Sequence, residues 1–348
     1  MGWLSRARAA GLNGLLVALA AGCTPPGGEP TGPIETTARC GVSSPPSAAL
    51  PLPSELAADA PLRRLRGSLL LEVWAPAGTQ LDGEVVEGAW ARGCAALGFV
   101  VEELSLPAHE PWADGPVRWV LLPDPAFAAL EGAEGADGLT LEAAEGEGDA
   151  LATPVGLLGD AAELDDTLAH ELVHVVQGRL VPRGEGIPWY VHEGMAVSAG
   201  ARHGRACHGR VTGPAEGYLE GASAAEVAEA LARFGVEDLT EEAAAPDEAH
   251  GLSEAAGGLF VESLRRTFPD AQPRLLAAMA GSGASGFDAA FARAFEGPTP
   301  AQAREALLHE VARTEGDWAA RVAGTAFSRE VSPGADGGAV EQLRRGGP

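Results

Sequence analysis

The feature that most constrains the fold of this chain is a pair of histidines four residues apart, followed at a set distance by a glutamate. His170 and His174 enclose Glu171 in the sequence His-Glu-Leu-Val-His, and Glu193 follows after eighteen further residues. Histidines at this spacing lie on one helix face and can bind one metal ion, with the intervening glutamate near its bound water. Two histidines and one carboxylate leave the fourth position of zinc open, as catalysis requires. The pattern predicts two crossing helices at a Zn2+ site with ligands His170, His174 and Glu193.

A different interpretation of the same stretch is an amphipathic helix whose two histidines are hydrogen-bonded core residues. The flanking residues argue against it, because Leu168, Leu172, Val175 and Val176 already supply an apolar surface. Since the helix does not need its histidines to form a buried face, the metal-binding interpretation is favoured.

With these residues the chain resembles the gluzincin zinc metallopeptidases, in particular the bacterial peptidase MA-like proteins, over residues 155–325. The similarity is densest at 166–200, where the helix motif is followed by Glu-Gly-Met-Ala. The resemblance implies that Glu171 is the general base in hydrolysis of a peptide or protein substrate by a zinc-activated water. It also implies a cleft edge near 152–158 that pairs with an extended substrate, although an ordinary sheet strand is an equal alternative. His192 stands where the aminopeptidases carry Asn, and their Gly-Ala-Met-Glu-Asn segment is missing, so aminopeptidase specificity is not implied.

Related enzymes also use a Tyr or His from a downstream helix to stabilise the oxyanion. His250 is the first candidate for this catalytic role and Tyr218 the second, and the alternative for each is a solvated loop residue. Asp166 precedes His170 by one helical turn and can accept a hydrogen bond from a ligand, but an exposed first-turn acid is the favoured interpretation. Three further histidines can line the cleft or lie at the surface: His192, His203 and His208.

The amino terminus predicts an exported protein. Residues 1–22 carry two arginines, an apolar run and small residues at the end, which is typical of a signal peptide. Ala20-Ala21-Gly22-Cys23 resembles a bacterial lipobox, so Cys23 is predicted to be lipidated, with ordinary secretory cleavage as the alternative. Residues 23–66 are rich in Pro, Gly, Ser and Ala and predict a flexible tether. We expect a bacterial cell-envelope protein held to the periplasmic or outer membrane by its lipid anchor.

Charge and cysteine content narrow the partners and the covalent chemistry. Acidic residues outnumber basic ones by 49 to 24, which argues against nucleic acid as a partner. If Cys23 is acylated, Cys40, Cys94 and Cys207 remain, enough for one disulfide and one free thiol. A bridge between Cys94 and Cys207 is possible, but sequence cannot establish the pairing.

The hydrophobic pattern, together with the resemblance, predicts an α+β protein of the zincin-like class. A small mixed-sheet lobe at 67–160 precedes a mostly helical catalytic lobe at 161–326 that carries the metal-binding helix, and 327–348 is a disordered tail. Predicted strands cover 68–74, 99–106, 117–122, 139–143 and 152–158. Predicted helices cover 83–97, 162–178, a segment from 188, 225–234, 254–268, 274–279, 287–295 and 300–322. The predicted function is a zinc metallopeptidase; the alternative is a non-catalytic zinc-binding or structural envelope lipoprotein.

Overall fold

The computed structural model of the protein describes residues 53, 56, 61–106, 115–130, 133, 136–141, 149–181, 187–209, 222–233, 247–283 and 286–313, the side chains of 247–250 excepted. The signal peptide, Cys23, nearly all of the tether, Cys40, Tyr218 and the carboxyl-terminal tail lie outside these residues. Within them, one five-stranded sheet and a majority of helix confirm the predicted α+β class. None of the described helices combines the length and the apolar character needed to span a bilayer.

The sheet has a parallel centre and antiparallel edges. Its strands are β1 (Leu62–Gly67), β2 (Leu71–Pro76), β3 (Val117–Leu122), β4 (Leu139–Leu141) and β5 (Ala150–Pro154), in the order β1-β2-β3-β5-β4. Strands β2, β3 and β5 are parallel, whereas β1 and β4 run antiparallel to their neighbours. Every residue of β3 is buried, as expected for a central parallel strand covered on both faces.

Helices cover the sheet and form the second half of the chain. They are α1 (Gly83–Glu103), α2 (Asp124–Phe127), α3 (Ala161–Leu180), α4 (Trp189–His208), α5 (Ala224–Arg233), α6 (Asp247–Thr267), α7 (Ala271–Ala280), α8 (Phe287–Ala294) and α9 (Pro300–Arg313). Helix α4 packs between α3 and α6. One apolar core runs from Trp119 in the sheet through Val173 in α3 to Phe260 in α6, so the two lobes predicted from sequence share a core.

Two predicted elements of the sheet lobe are wrong, and burial explains both. Residues 99–106 were expected as a strand, but α1 continues to Glu103, because its Leu97, Val100 and Val101 remain on the buried face of the helix. Tertiary burial here outweighs the local β preference of an apolar run. Residues 155–158, expected to continue a strand, belong instead to a short 3-10 helix at Val155–Gly159.

The predicted tether ends too late, because residues 62–66 belong to strand β1. Its sequence is Leu-Arg-Arg-Leu-Arg-Gly, a weak apolar pattern, and two of its arginines pair with carboxylates of other elements. Arg64 Nε lies 3.1 Å from the buried Glu72 carboxylate, and Arg66 Nη1 lies 2.6 Å from Glu87. From the sequence alone, an edge strand rich in arginine is therefore easily assigned to a polar tether.

The helices that carry the predicted ligands have ends specified by local chemistry. Asp160 caps α3 by accepting hydrogen bonds from the backbone N–H groups of Ala162 and Glu163. Pro188 precedes α4, and Gly209 ends it with φ at 74°, a conformation that favours glycine. These signals place the start of α4 a few residues before Glu193.

Two glycines of α4 let neighbouring helices approach closely. A Cβ at Gly194 would lie 2.3 Å from the carbonyl oxygen of Gly257 in α6. A Cβ at Gly200 would lie 2.9 Å from the backbone oxygen of Asp166 in α3. Backbone therefore contacts backbone on both sides of α4, and the apolar residues of 255–264 pack in the core behind it.

Polar groups also connect α1, α3 and α4 away from the predicted ligands. Asp165 is fully buried, and its Oδ2 accepts a hydrogen bond from Arg92 at 2.6 Å and lies 2.8 Å from His208 Nε2.

Cys94 and Cys207 are both disulfide-bonded, so neither is a free thiol. An oxidising compartment is consistent with this state.

A second buried network joins α4 and α6 around Glu262. This side chain is inaccessible to solvent, and its carboxylate accepts a hydrogen bond from Ser198 Oγ at 2.5 Å and from Arg265 Nη1 at 3.3 Å. Arg202 lies 3.9 Å away and also pairs with Glu103. Burial raises the pKa of Glu262 to about 8, although Arg202 and Ser198 favour the charged form.

We expect Glu262 to make the protein less stable as pH rises. A carboxyl group with a pKa of about 8 when folded and an ordinary value of 4.5 when unfolded holds its proton more tightly in the folded state. Its contribution to stability is full below the unfolded value and is lost on going up through the folded value. Between about pH 6 and pH 8.5, the free energy of unfolding of Glu262→Gln should therefore fall by about 1–3 kcal/mol less than that of wild type.

Urea unfolding of the chelator-treated protein at both pH values measures this difference. Glu87→Gln is the control, since it removes an ion-paired carboxylate whose side chain is 56% exposed. Parallel stability curves for wild type and Glu262→Gln would contradict the prediction.

Candidate metal centre

The three predicted ligands meet where α3 and α4 cross. His170 and His174 lie one turn apart on α3, and Glu193 is the fifth residue of α4. His174 Nε2 is 3.1 Å from His170 Nε2 and 3.0 Å from Glu193 Oε2, and His170 Nε2 is 3.5 Å from the same oxygen. Among the described residues, these side chains make up the one group of three or more ligand-type residues that could hold a metal ion.

The geometry of this cluster fits a small cation. Zinc bonds of about 2.0–2.2 Å in a tetrahedral arrangement place ligand atoms about 3.3–3.6 Å apart, close to the separations in the cluster. Two imidazoles and one carboxylate form a donor set found in catalytic rather than structural zinc sites. The three side chains are only 12–13% exposed, so little water shields their charges.

Gln177 orients one of the imidazoles. Its Oε1 lies 2.9 Å from His174 Nδ1, and its amide Nε2 donates to the backbone oxygen of His192 at 3.0 Å. Because an amide oxygen can only accept, His174 carries a proton on Nδ1, and its Nε2 is the ring nitrogen that faces the cluster. This arrangement sets the ring as a metal ligand requires.

The electrostatics of the cluster favour a positive charge at its centre. Burial opposes a charged imidazolium, yet the Glu193 carboxylate outweighs it and raises the pKa of His174 to about 10. Burial also opposes the ionised carboxylate, but His174 and His170 hold the pKa of Glu193 well below its usual range. The carboxylate thus attracts whichever cation occupies this point, and a metal ion can supply that charge while both imidazoles stay neutral.

Glu171 lies beside the cluster without belonging to it. Its side chain is 7% exposed, and its Oε2 accepts a hydrogen bond of 2.6 Å from Thr140 Oγ1 in β4. The same hydroxyl lies 3.1 Å from the backbone oxygen of Glu171. The predicted base is therefore held by strand β4 as well as by its own helix, α3.

His192 is next to the cluster, as its position before Glu193 requires. Its ring stacks on His174 with centroids 5.0 Å apart, and its Nδ1 lies 3.4 Å from Glu193 Oε1. The side chain is 37% exposed, so it borders both the cluster and solvent. Of the three further histidines considered from sequence, this one adjoins the predicted ligands.

The other two contact different groups. His203 is buried against Phe99 and beside Cys207, and burial lowers its pKa to about 4. His208 pairs with Asp165, as described above. The structure thus places both near the α1–α4 contact.

The predicted oxyanion donors lie wholly or in part outside the described residues. His250 lies on α6, but its side chain is outside the described residues, as is all of Tyr218. Tyr190, the tyrosine that the structure does describe, is buried edge-on against Phe260, and burial raises its pKa to about 12. The donor assignment to His250 stays a prediction.

Asp166 is not the exposed first-turn acid that sequence favoured. It is 3% exposed, and its Oδ2 faces Gly200 of α4. The reason is the close approach of α4, which covers this face of α3. The sequence shows an acidic residue near the start of the helix but not the neighbouring helix that packs over it.

The edge of the sheet beside α3 is β4, not the predicted 152–158 segment. Strand β5 is paired on both sides, by β3 and by β4. Strand β4 is the terminal strand of the described sheet, and it packs on α3 next to Glu171. Residues 152–154 thus form an ordinary internal strand, the alternative that the sequence left open, and the edge lies one strand earlier in the chain, which only the pairing order of the folded sheet decides.

Sequence reasoning missed two polar residues next to the site. Gln177 follows His174 by three residues on one helix, a spacing that puts the side chains side by side and could have been recognised. Thr140 lies thirty-one residues before Glu171, and nothing in the sequence signals their contact.

Comparisons with known proteins add no family assignment. No protein-family model matches this chain, and no curated protein matches it.

Proposed function

We propose that the protein is a zinc-dependent peptidase of the gluzincin type, with the zincin-like fold which that type implies. The observation that carries the proposal is the convergence of His170, His174 and Glu193 within hydrogen-bond distance of one another at a helix crossing. Ligand side chains that are only 12–13% exposed and are brought together by separate elements, with Gln177 orienting one ring, are what a metal centre needs. Glu171 beside them adds a base to the ligand set.

In this proposal each residue has one role. His170, His174 and Glu193 hold the ion, which when bound lowers the pKa of its water and polarises the scissile carbonyl. Glu171 accepts a proton from the attacking water and delivers it to the departing amine. Gln177 keeps His174 in the ligand tautomer, and an oxyanion donor, His250 by prediction, completes the site.

The substrate class follows from the sheet edge. Strand β4 lies beside the base, and no strand among the described residues pairs with its outer side. An extended peptide adds to such an edge through backbone hydrogen bonds, whatever its side chains. We therefore propose a peptide or unfolded protein segment as substrate, bound along β4.

The proposal is tested by metal content and proteolysis. Wild type should hold about one equivalent of zinc and cleave an unfolded protein such as casein, and a chelator should abolish cleavage until zinc is restored. His174→Ala should hold less than about a tenth of an equivalent, because only two ligands remain. Elemental analysis and a casein assay measure both quantities, and His309→Ala, at an imidazole that is 65% exposed, is the control.

The outcomes separate the proposal from its alternatives. Zinc bound without casein cleavage would favour a non-catalytic zinc-binding lipoprotein, and no zinc after exhaustive loading would favour a structural envelope protein. Export and the Cys23 anchor stay predictions from sequence. Fractionation of bacterial cells that express the protein tests both predictions, since an acylated protein is recovered with membranes and a Cys23→Ala variant is not.

A further inference from the structure

Strand β4 presents one polar side chain to the metal-binding helix. Leu139 and Leu141 pack against the apolar cluster around Phe127 on one face of the sheet. Because side chains alternate along a strand, Thr140 points to the other face, toward α3. There its hydroxyl lies 2.6 Å from Glu171 Oε2.

The contact is close because the residue two positions before Thr140, on the same face of the chain, is a glycine. A Cβ at Gly138 would lie 2.5 Å from Thr167 Cγ2 and 2.9 Å from Glu171 Cγ. Gly138 therefore lets β4 rest directly on α3 at the level of the predicted base. Any larger residue would push the strand, and Thr140 with it, away from the carboxylate.

A threonine hydroxyl has one proton and donates it here to an acidic side chain. Donation to an ionised carboxylate gives short, strong hydrogen bonds, and 2.6 Å is in that range. The bond engages Oε2, and among the described residues none forms a hydrogen bond with Oε1 of Glu171, the oxygen we assign to the attacking water. The second contact, 3.1 Å to the Glu171 backbone oxygen, ties the strand to the helix at the same residue.

We propose that Thr140 is a positioning residue that holds the Glu171 carboxylate in its working orientation and couples it to the strand along which substrate binds. This inference rests on the proposed function, since it takes Glu171 as the base and β4 as the substrate edge. A glutamate side chain has three rotatable bonds, and a cation beside it attracts the free carboxylate as an additional ligand. Thr140 prevents that movement and keeps the group as a base.

Thr140→Val and Thr140→Ser test the proposal in the zinc-loaded protein. Valine keeps the shape and removes the donor, so kcat for casein cleavage should fall by about 10- to 100-fold while KM stays within about twofold. Serine keeps the hydroxyl and should restore kcat to within about threefold of wild type. Zinc content should be unchanged in both variants.

Thr153→Val is a matched control, because it removes a buried hydroxyl in the neighbouring strand that accepts from Trp119 Nε1 at 2.9 Å. It should lower the melting temperature without the selective fall in kcat. If Thr140→Val behaves in the same way, Thr140 has a structural role only and the inference is overturned.

A metal-free measurement tests the hydrogen bond without turnover. Melting temperatures of chelator-treated wild type, Thr140→Val, Glu171→Leu and the double variant form a double-mutant cycle. A shared bond predicts that the double variant melts close to the less stable single variant, whereas additive shifts would contradict the contact. If the wild type does not cleave casein, the proposed function is overturned. If the wild type cleaves casein but the shifts in melting temperature are additive, only this inference is overturned.

Discussion

Glu171→Gln is expected to lower kcat for casein cleavage by about a thousandfold and to leave the zinc content unchanged. The substitution keeps the shape of the side chain and its acceptor for Thr140, but an amide cannot take up the proton of the attacking water. Zinc should remain because Glu171 is outside the group of three convergent ligands. Paired elemental analysis and single-turnover proteolysis measure the two quantities on one preparation.

The control for this experiment is Glu163→Gln, which changes an acid in the first turn of the same helix. It should leave kcat within about twofold, since charges near the helix start affect stability by tenths of a kcal/mol. Activity retained by Glu171→Gln would remove the base from the mechanism. Equal inactivity of wild type and variant, with zinc bound to both, would indicate a zinc-binding module instead of an enzyme.

Gly194→Ala is expected to destabilise the protein by about 3 kcal/mol and to lower its melting temperature by several degrees. The added methyl would lie 2.3 Å from the Gly257 oxygen and 2.5 Å from the Gly257 carbonyl carbon, and neither backbone atom can rotate away. Helix α4 must therefore shift from α6. Since Glu193 precedes this glycine, the shift moves a proposed metal ligand, and zinc affinity should fall together with stability.

Gly83→Ala provides the matched control, because a Cβ at Gly83 meets nothing within 4 Å at the start of α1. Thermal unfolding and zinc titration of the two variants, side by side, measure the contrast. A Gly194→Ala protein that melts like Gly83→Ala and binds zinc normally would show that α4 and α6 need not approach so closely.

Local signals located the helices of the site well. Asp160 marks the start of α3 and Pro188 the start of α4, each within a few residues of the predicted start. Helical spacing alone places His170 above His174, so their shared face follows from sequence. Local signals failed at β1 and at the end of α1, where burial by distant segments decides the conformation.

The meeting of Glu193 with the two histidines was predicted from a motif, and only the crossing of α3 and α4 produces the separations of 3.0 and 3.5 Å. Gly200 permits that crossing by letting the backbone of α4 approach Asp166 of α3, and Gly194 lets α4 approach Gly257 of α6 on its other side. The sequence contains the glycines, but which backbone each one faces depends on the whole packing.

By itself the sequence determined the residue types of the site, their helical faces and the α+β class, because these depend on interactions within a few residues of one another. Tertiary structure alone decided that β4 is the edge strand beside α3, that Asp166 is buried and that Thr140 holds Glu171. Such contacts join segments about thirty or more residues apart, and their free energy comes from burial and close packing that no local pattern records.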